Sequence, residues 1–368
     1  MTKLPVPRSQ AVCVPCRLGA IGAVVLALAG GFAYTAGWLT PKRLTTARIV
    51  NTFEAVAGQH PGYRRNHAKG LCVEGYFDSN GKGAVLSSAD VFQPGRTPVT
   101  GRFAVPGGNP SAPDTSSPVR SLALEFQLQN GEQWRTGMNS TPVFAVHTPE
   151  QFYQQLLAAK PDPSTGKPDP AKLKAFYAAN PETLPFQTWV KAHPPSSSLA
   201  NAAYYGINAF RFTNSEGATH AVRWAMVPDT PYAPITDAQK AEKNFLAADL
   251  NQRIASGPLR WHLILTVAQP ADPIDDATLQ WPDDRQRIDA GTLVLERTTS
   301  QEDGTCRDIN FDPTILPTGI KTSNDPLLAA RSAAYALSYQ RRTREETLNP
   351  AVHQTQAVTA ATSNGAHS

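Results

Sequence analysis

The sequence carries little net charge, +4 over 368 residues, and no basic stripe interleaved with aromatics. That excludes a nucleic-acid footprint, because neutralising phosphates takes clustered Lys and Arg. No glycine-rich loop leads into a helix, so nucleotide phosphates have no cradle. His147, His193, His220, His262 and His353 show no metal-ligand spacing such as H-x-x-x-H, and each reads as a strand or loop residue. The acidic pairs beginning at 275 and 283 sit in a proline-rich stretch and read as solvated turn residues. Only four cysteines are present, too few for a small disulfide-built scaffold.

Against these absences stands one long apolar run. Leu18 to Leu39, "LGAIGAVVLALAGGFAYTAGWL", is uncharged over 22 residues, enough to span the hydrocarbon core of a bilayer. Lys3, Arg8 and Arg17 precede it as a basic flank. It reads as a signal anchor or a cleaved signal peptide, which places the rest of the chain in the periplasm or otherwise outside the cytoplasm, tethered to the inner membrane if uncleaved. Cys13 and Cys16 form a lone C-x-x-C beside it, a weak zinc or redox signal, and read as juxtamembrane thiols open to acylation. Cys72 and Cys306 could pair in an oxidising compartment, but their spacing does not bring them together.

Proline is abundant, 32 residues, and predicts long irregular connections. Between them lie alternating stretches: "LCVEGYF", "VTGRFAV", "VRSLALEFQL", "YYGINAFRFTN", "THAVRWAMVP", "LRWHLILTVAQ" and "GTLVLERTT". Their period of two predicts strands. Helical signals cover Thr148 to Ala192, with Thr148 as N-cap and Pro149 opening the first helix. "DAQKAEKNFLAADLNQRIAS" predicts one further helix. About eight strands with helical insertions and a C-terminal helix imply an α+β chain built on a closed antiparallel barrel. The boundaries are residues 1–17, a basic segment; 18–39, the apolar helix; 40–349, the folded domain; and 350–368, a tail too poor in apolar residues to pack.

Two stretches suggest chemistry. "YRRNHAKG", residues 63–70, crowds cations around His67, which on its own reads as a surface turn. "SNDPLLAARSAAYALSYQRR" begins a helix at Asn324 or Asp325 and Pro326. Spacings of four, three and four put Arg331, Tyr335, Ser338 and Arg342 on one face of it. A guanidinium within one turn favours the phenolate, a ligand suited to ferric iron, but on its own the pattern reads as a core aromatic between solvated arginines.

Several motifs together resemble the haem-dependent catalase superfamily: H-A-K-G after an arginine, G-R-F, N-x-T-P-x-F, F-D-P-x-x-x-P-x-G-I and the R-x-x-x-Y-x-x-x-x-x-x-R helix, in the family's order. The resemblance covers about residues 45 to 346 and implies the family's β-barrel with haem b, iron protoporphyrin, buried at one end. It makes His67 the distal base, Tyr335 the iron ligand and Arg331 the residue that keeps the phenol ionised. It assigns Arg64, Arg102 and Arg342 to the haem propionates and Phe152 to the haem's surroundings. The distal asparagine is Asn139, although ungapped alignment on Pro142 puts Ser140 there. Ala104 stands where many catalases have a serine that bonds the distal histidine, and polar Asn66 implies a wetter, wider pocket.

With little chain after the last helix, the sequence resembles the reduced branch of catalase-related peroxidases, often exported behind a signal or anchor. The resemblance implies reduction of hydrogen peroxide or organic hydroperoxides by a small organic reductant, with weak dismutation. His67 would serve as general base and acid, kept neutral by Arg64 and Lys69. Rearrangement of fatty-acid hydroperoxides is an alternative on the same scaffold, and a non-catalytic, membrane-tethered haem-binding domain is another. Oligomeric state stays open, a homodimer being one arrangement.

Overall fold

The computed structural model describes residues 14–36, 38–39 and 43–348. The expected disordered tail and Cys13 lie outside them. The chain divides into two units at Arg48/Ile49, each described by itself. The first carries α1 (Val14–Thr35), 22 residues with none buried, in which an 18-residue stretch reaches a mean hydropathy of 1.8. The helix begins four residues before the expected Leu18 and takes in Cys16 and Arg17, because Pro15 is tolerated in a first turn. It ends short of Leu39. α2 (Thr46–Ala57) follows, an amphipathic helix that buries Ile49 and Val50.

The main unit continues with β1 (Lys69–Ser79), β2 (Gly95–Val105), β3 (Ser121–Gln127) and β4 (Gln133–Asn139). Three helices come next, α3 (Pro149–Ala158), α4 (Pro170–Ala179) and α5 (Leu184–Ala192), then β5 (Tyr204–Thr213) and β6 (Thr219–Pro228). After them run α6 (Asp237–Ala241), α7 (Phe245–Ser256), β7 (Leu259–Val267), β8 (Arg287–Ser300), a short β9 (Ile320–Thr322) and α8 (Pro326–Leu348). The sheet runs β4-β3-β2-β1-β8-β7-β6-β5, all antiparallel, and closes through Asn139 opposite Tyr205. β9 flanks β5. The expected closed barrel is therefore present, with β4 as a strand the alternation had not singled out.

Alternation sorts the side chains. Phe103, Leu122, Leu124, Phe126, Trp134 and Met138 point inward and are fully buried or nearly so. Phe126 stacks on Trp134 with centroids 4.9 Å apart, and Trp134 meets Trp224 edge-on at 5.1 Å. Such pairs add about 1 kcal/mol each beyond the area they bury. An eight-stranded barrel is filled by its own side chains, so a site of any size has to form outside it. The outward residues of β2, β3 and β4 face that site.

The helices follow their caps. Thr148 and Gln151 form a reciprocal capping box at α3, as the sequence indicates. The single helix expected over 237–256 is two. Lys243 O accepts from Asp114 N at 2.9 Å, which pulls the backbone out of helical register, and Asp114 Oδ2 then caps α7 through Leu246 N at 2.8 Å. The first acidic pair is also less solvated than expected. Asp275 accepts from Asn324 N ahead of α8, and Asp276 pairs with His147 at 3.1 Å.

Candidate functional site

The residues singled out by sequence converge on one cavity of about 200 Å³, lined by α2, the 64–67 loop, outward positions of β2–β4, α3 and one face of α8. His67, Asn139, Arg64, Arg102, Phe152, Arg331, Tyr335 and Arg342 all line it, as do Asn66, Ala104 and Ser338. Ser140 does not. Its hydroxyl accepts from Arg120 N at 2.9 Å, whereas Asn139 shares the outward face of β4 with Gly137.

The dipeptide Arg64-Arg65 divides between two tasks. Arg65 Nε donates to Glu54 at 2.6 Å and its Nη2 pairs with Glu345, tying α2 to α8. Arg64 turns into the cavity, where one Nη donates to the carbonyls of Cys306, Arg307 and Ile309 at 3.0, 3.2 and 2.9 Å. Between them and the strand, His67 adopts φ 58°, the one positive φ at a non-glycine among the described residues. Asn66 explains how this is held. Its Oδ1 accepts from His67 N at 2.9 Å and from Gly107 N at 2.8 Å. The amide expected to wet the pocket is thus engaged on the backbone, stabilising a conformation that costs about 1–3 kcal/mol.

His67 keeps some accessible surface because it lines the cavity, yet it lies deep under protein. Burial, then the cations Arg102, Arg331 and Arg64, push its pKa down to about 3. Lys69, expected to contribute, does not face it. Its ammonium pairs with Asp114 at 2.6 Å and donates to Ala112 O and Asn244.

Arg102 donates to Ala68 O at 3.2 Å and to Gln301, and Arg342 donates to Arg307 O. Each has a buried Nε with no partner among the described residues. Burial and mutual repulsion drive Arg102 down to about 9 and Arg64 well below the usual guanidinium range; burial also lowers Arg342. No Asp or Glu lines the cavity. Clustered, desolvated guanidiniums are costly without an anion close by, so the arrangement suits an anionic ligand. Gly70 makes the cluster possible: a Cβ there would lie 2.5 Å from Arg102 Cζ.

On α8, Asp325 caps the helix through Leu327 N at 2.9 Å, and its other oxygen accepts from Asn208 at 2.8 Å. Asn208 Oδ1 accepts from Arg331 at 2.6 Å, and Arg331 also donates to Gly137 O at 2.9 Å. A Cβ at Gly137 would sit 2.9 Å from Arg331 Nη2 and 3.3 Å from the Tyr335 hydroxyl, so the glycine leaves both tips their place at the cavity wall. Phe152 packs between Phe53 and Phe144 with centroids 5.9 and 5.8 Å away, giving an apolar flank.

Sequence reasoning missed three residues. Ser121 pairs in register with Ala104, lines the cavity and donates to Asn139 Oδ1 at 2.8 Å, so a hydroxyl absent at 104 stands one strand over. Asn208 and Gly137 were the others. A Gly or Asn inside an apolar strand pattern is the signal that could have found them, and the register of β5 does shift between Gly206 and Phe210. Cys72 and Cys306, left open by sequence, form a buried disulfide between β1 and the loop after β8.

The catalase family model matches residues 35–367. A catalase-related peroxidase of Synechococcus elongatus is 42% identical over 82% of this chain and 89% of its own length. A second, from Mycolicibacterium paratuberculosis, is 28% identical over 82% of this chain and 95% of its own. The fold is similar to that of a fungal catalase crystal structure, TM-score 0.71 at 20% identity, over 77% of this chain; the match spans 60% of that structure. Members of this family normally bind haem, and the Nε atoms of Arg102 and Arg342, which have no partner among the described residues, and the glycine at 137 suit such a group. The chain belongs to the catalase family, oxidoreductases acting on peroxide.

Proposed function

We propose that this protein reduces hydrogen peroxide or an organic hydroperoxide with a small organic electron donor, using haem b, and releases oxygen only slowly. The observation that supports it most is a deeply placed His67, its basicity lowered by burial and neighbouring cations, sharing a cavity with Tyr335 and with three guanidiniums that form no ion pair among the described residues. Two relatives aligned over four fifths of the chain are named peroxidases, which favours donor oxidation over dismutation.

Arg64, Arg102 and Arg342 would hold the two haem propionates, the Tyr335 oxygen would ligate the iron beside Arg331, and Phe152 would pack near the ring. When bound, haem supplies a metal that polarises the peroxide bond and takes up its oxidising equivalents. His67 takes the proton from one peroxide oxygen and passes it to the other, which leaves as water or an alcohol. Its low basicity suits the second half of that task, because a weakly held proton is readily returned. Asn139 donates an amide hydrogen to the bound peroxide, with its carbonyl oriented by Ser121. Buried surroundings keep bulk water from competing for these bonds.

The direct test is an absorption spectrum: Tyr335→Phe should lose the spectrum of a Tyr-ligated ferric haem, and an unchanged spectrum removes Tyr335 as ligand. Parallel assays of oxygen release and aromatic-donor oxidation separate the activities. Oxygen release much faster than donor oxidation would sink the peroxidase reading, and loss of an alkyl hydroperoxide without any donor would point to rearrangement. An extracytoplasmic location, with α1 as signal or anchor, is part of the same proposal and is supported by the Cys72–Cys306 bridge. Cell fractionation tests it; recovery in the cytoplasm would refute it.

A further inference from the structure

The loop after β8 is fastened to the barrel at one covalent point. Cys306 is joined to Cys72 of β1, and both are fully buried. The bridged pair packs against Phe311 further along the loop and against Tyr335 of α8. A Cβ on Gly304 would lie 2.6 Å from Cys72 Sγ, so the loop rests on the bridge with no slack.

The other side of this loop faces the cavity cations. Its carbonyls at Cys306, Arg307 and Ile309 accept from Arg64, and Arg307 O also accepts from Arg342. Two of the three guanidiniums are thus aimed by backbone oxygens within three residues of Cys306. Burial first, and then repulsion from Arg102 and Arg342, lowers the pKa of Arg64, so these cations are crowded out of water and against one another. Left to themselves they would separate toward solvent. Fixed carbonyl dipoles hold them together, and carbonyls in a loop without helix or strand are only as fixed as the loop.

We infer that the Cys72–Cys306 bridge is a positioning element for the carboxylate-binding arginines: it holds the 304–311 loop so that its carbonyls aim Arg64 and Arg342, and capture of the cofactor's carboxylates depends on it. This rests on the reading that these arginines hold the haem propionates. Other ties of this loop to the barrel are non-covalent, Thr305 to Glu74 of β1 and Arg135 of β4 to Asn310 O, both at 2.6 Å, so the bridge is its covalent anchor. A chain kept reduced would form its barrel yet hold the cofactor weakly, which makes loading conditional on an oxidising compartment. Bridge formation takes two electrons and two protons from the thiol pair and passes them to a disulfide-exchange oxidant, which ends as a dithiol.

The experiment uses holoprotein carrying Cys72→Ala and Cys306→Ala. Two quantities are read: haem per chain after gel filtration, and hydrogen exchange of residues 304–311. Haem affinity should fall about tenfold or more and the loop should exchange faster, while the amides of β1 to β8 stay protected. Wild-type haem content with unchanged loop exchange overturns the inference. Arg64→Ala with the bridge intact separates the two readings. If it loses haem while the cysteine variant keeps it, the positioning role fails alone; if it keeps haem, the arginine reading fails and takes this one with it. Should the double variant not fold, wild-type holoprotein reduced by a phosphine in mild denaturant gives the same two readouts.

Discussion

The inside and the outside of this barrel are made from the same strands by the same alternation, and they have opposite chemistry. On β4, Trp134 and Met138 turn inward among aromatics, while Arg135, Gly137 and Asn139 turn outward. On β2, Phe103 and Val105 face the core while Arg102 and Ala104 face the cavity. The interior is aromatic-rich and filled; the exterior wall carries Arg102, Asn139 and small residues that leave room for the cations and imidazole brought by the 64–67 loop and α8. Because the period is two, a one-residue slip would exchange the two chemistries completely. The aromatic interior therefore specifies the fold, and by holding the register it specifies the site.

The comparison can be broken most severely on the cavity side. His67→Ala should slow peroxide turnover about 10²- to 10⁴-fold with the thermal midpoint nearly unchanged, as read by stopped-flow and melting; normal turnover would remove His67 from the reaction. Inside, Trp134→Ala should lower stability by about 3–5 kcal/mol in denaturant titration. Haem content per folded chain should stay near normal. Gly137→Ala sits on the same strand but on the other face. Its new Cβ would crowd Arg331 and Tyr335, so it should reduce haem binding strongly while costing little more than about 1 kcal/mol of stability.

A fourth test uses acid. The folded pKa of His67 is about 3, against an unfolded value near 6.5. Between those values the unfolded chain holds a proton that the native one lacks, so stability falls as pH drops through that window, by at most about 1.4 kcal/mol per unit. Above it the contribution is constant. Denaturation midpoints from pH 7 to 4.5 should show this slope in the parent and a shallower one in His67→Ala; identical slopes would remove His67 as its source. The smallest effect belongs to Ser121→Ala, about tenfold in kcat/KM for peroxide, with Ser121→Thr restoring it. Equal kinetics in all three proteins would show that Ser121 does not orient Asn139.

How much of this was readable depends on which face a residue serves. Seven strands were visible because inward aromatics and β-branched residues alternate with polar ones. β4 was not, since Arg135, Gly137 and Asn139 look like turn residues after "NGE" and only Trp134 and Met138 speak for a strand. The break between α6 and α7 was hidden because its cause, Asp114, lies far away in sequence. That Arg331, Tyr335, Ser338 and Arg342 share one face of α8 followed from spacing, while the roles expected of that face and of the 63–70 loop came from the family resemblance. Asn208, Ser121 and the disulfide needed the closed barrel, which brings together positions from strands remote in sequence. Asn66 was noticed for its polarity, but its partners are backbone amides, which no side-chain pattern reveals.

The barrel's closure has a mechanical consequence. Neighbouring strands elsewhere are stitched along much of their length, while β4 and β5 meet in the ladder at Asn139 opposite Tyr205. The ring therefore has a seam, and Asn139 rides on it. Thermal breathing of the wall should concentrate along that line, so the residue proposed to grip peroxide is mounted where the cylinder most easily parts.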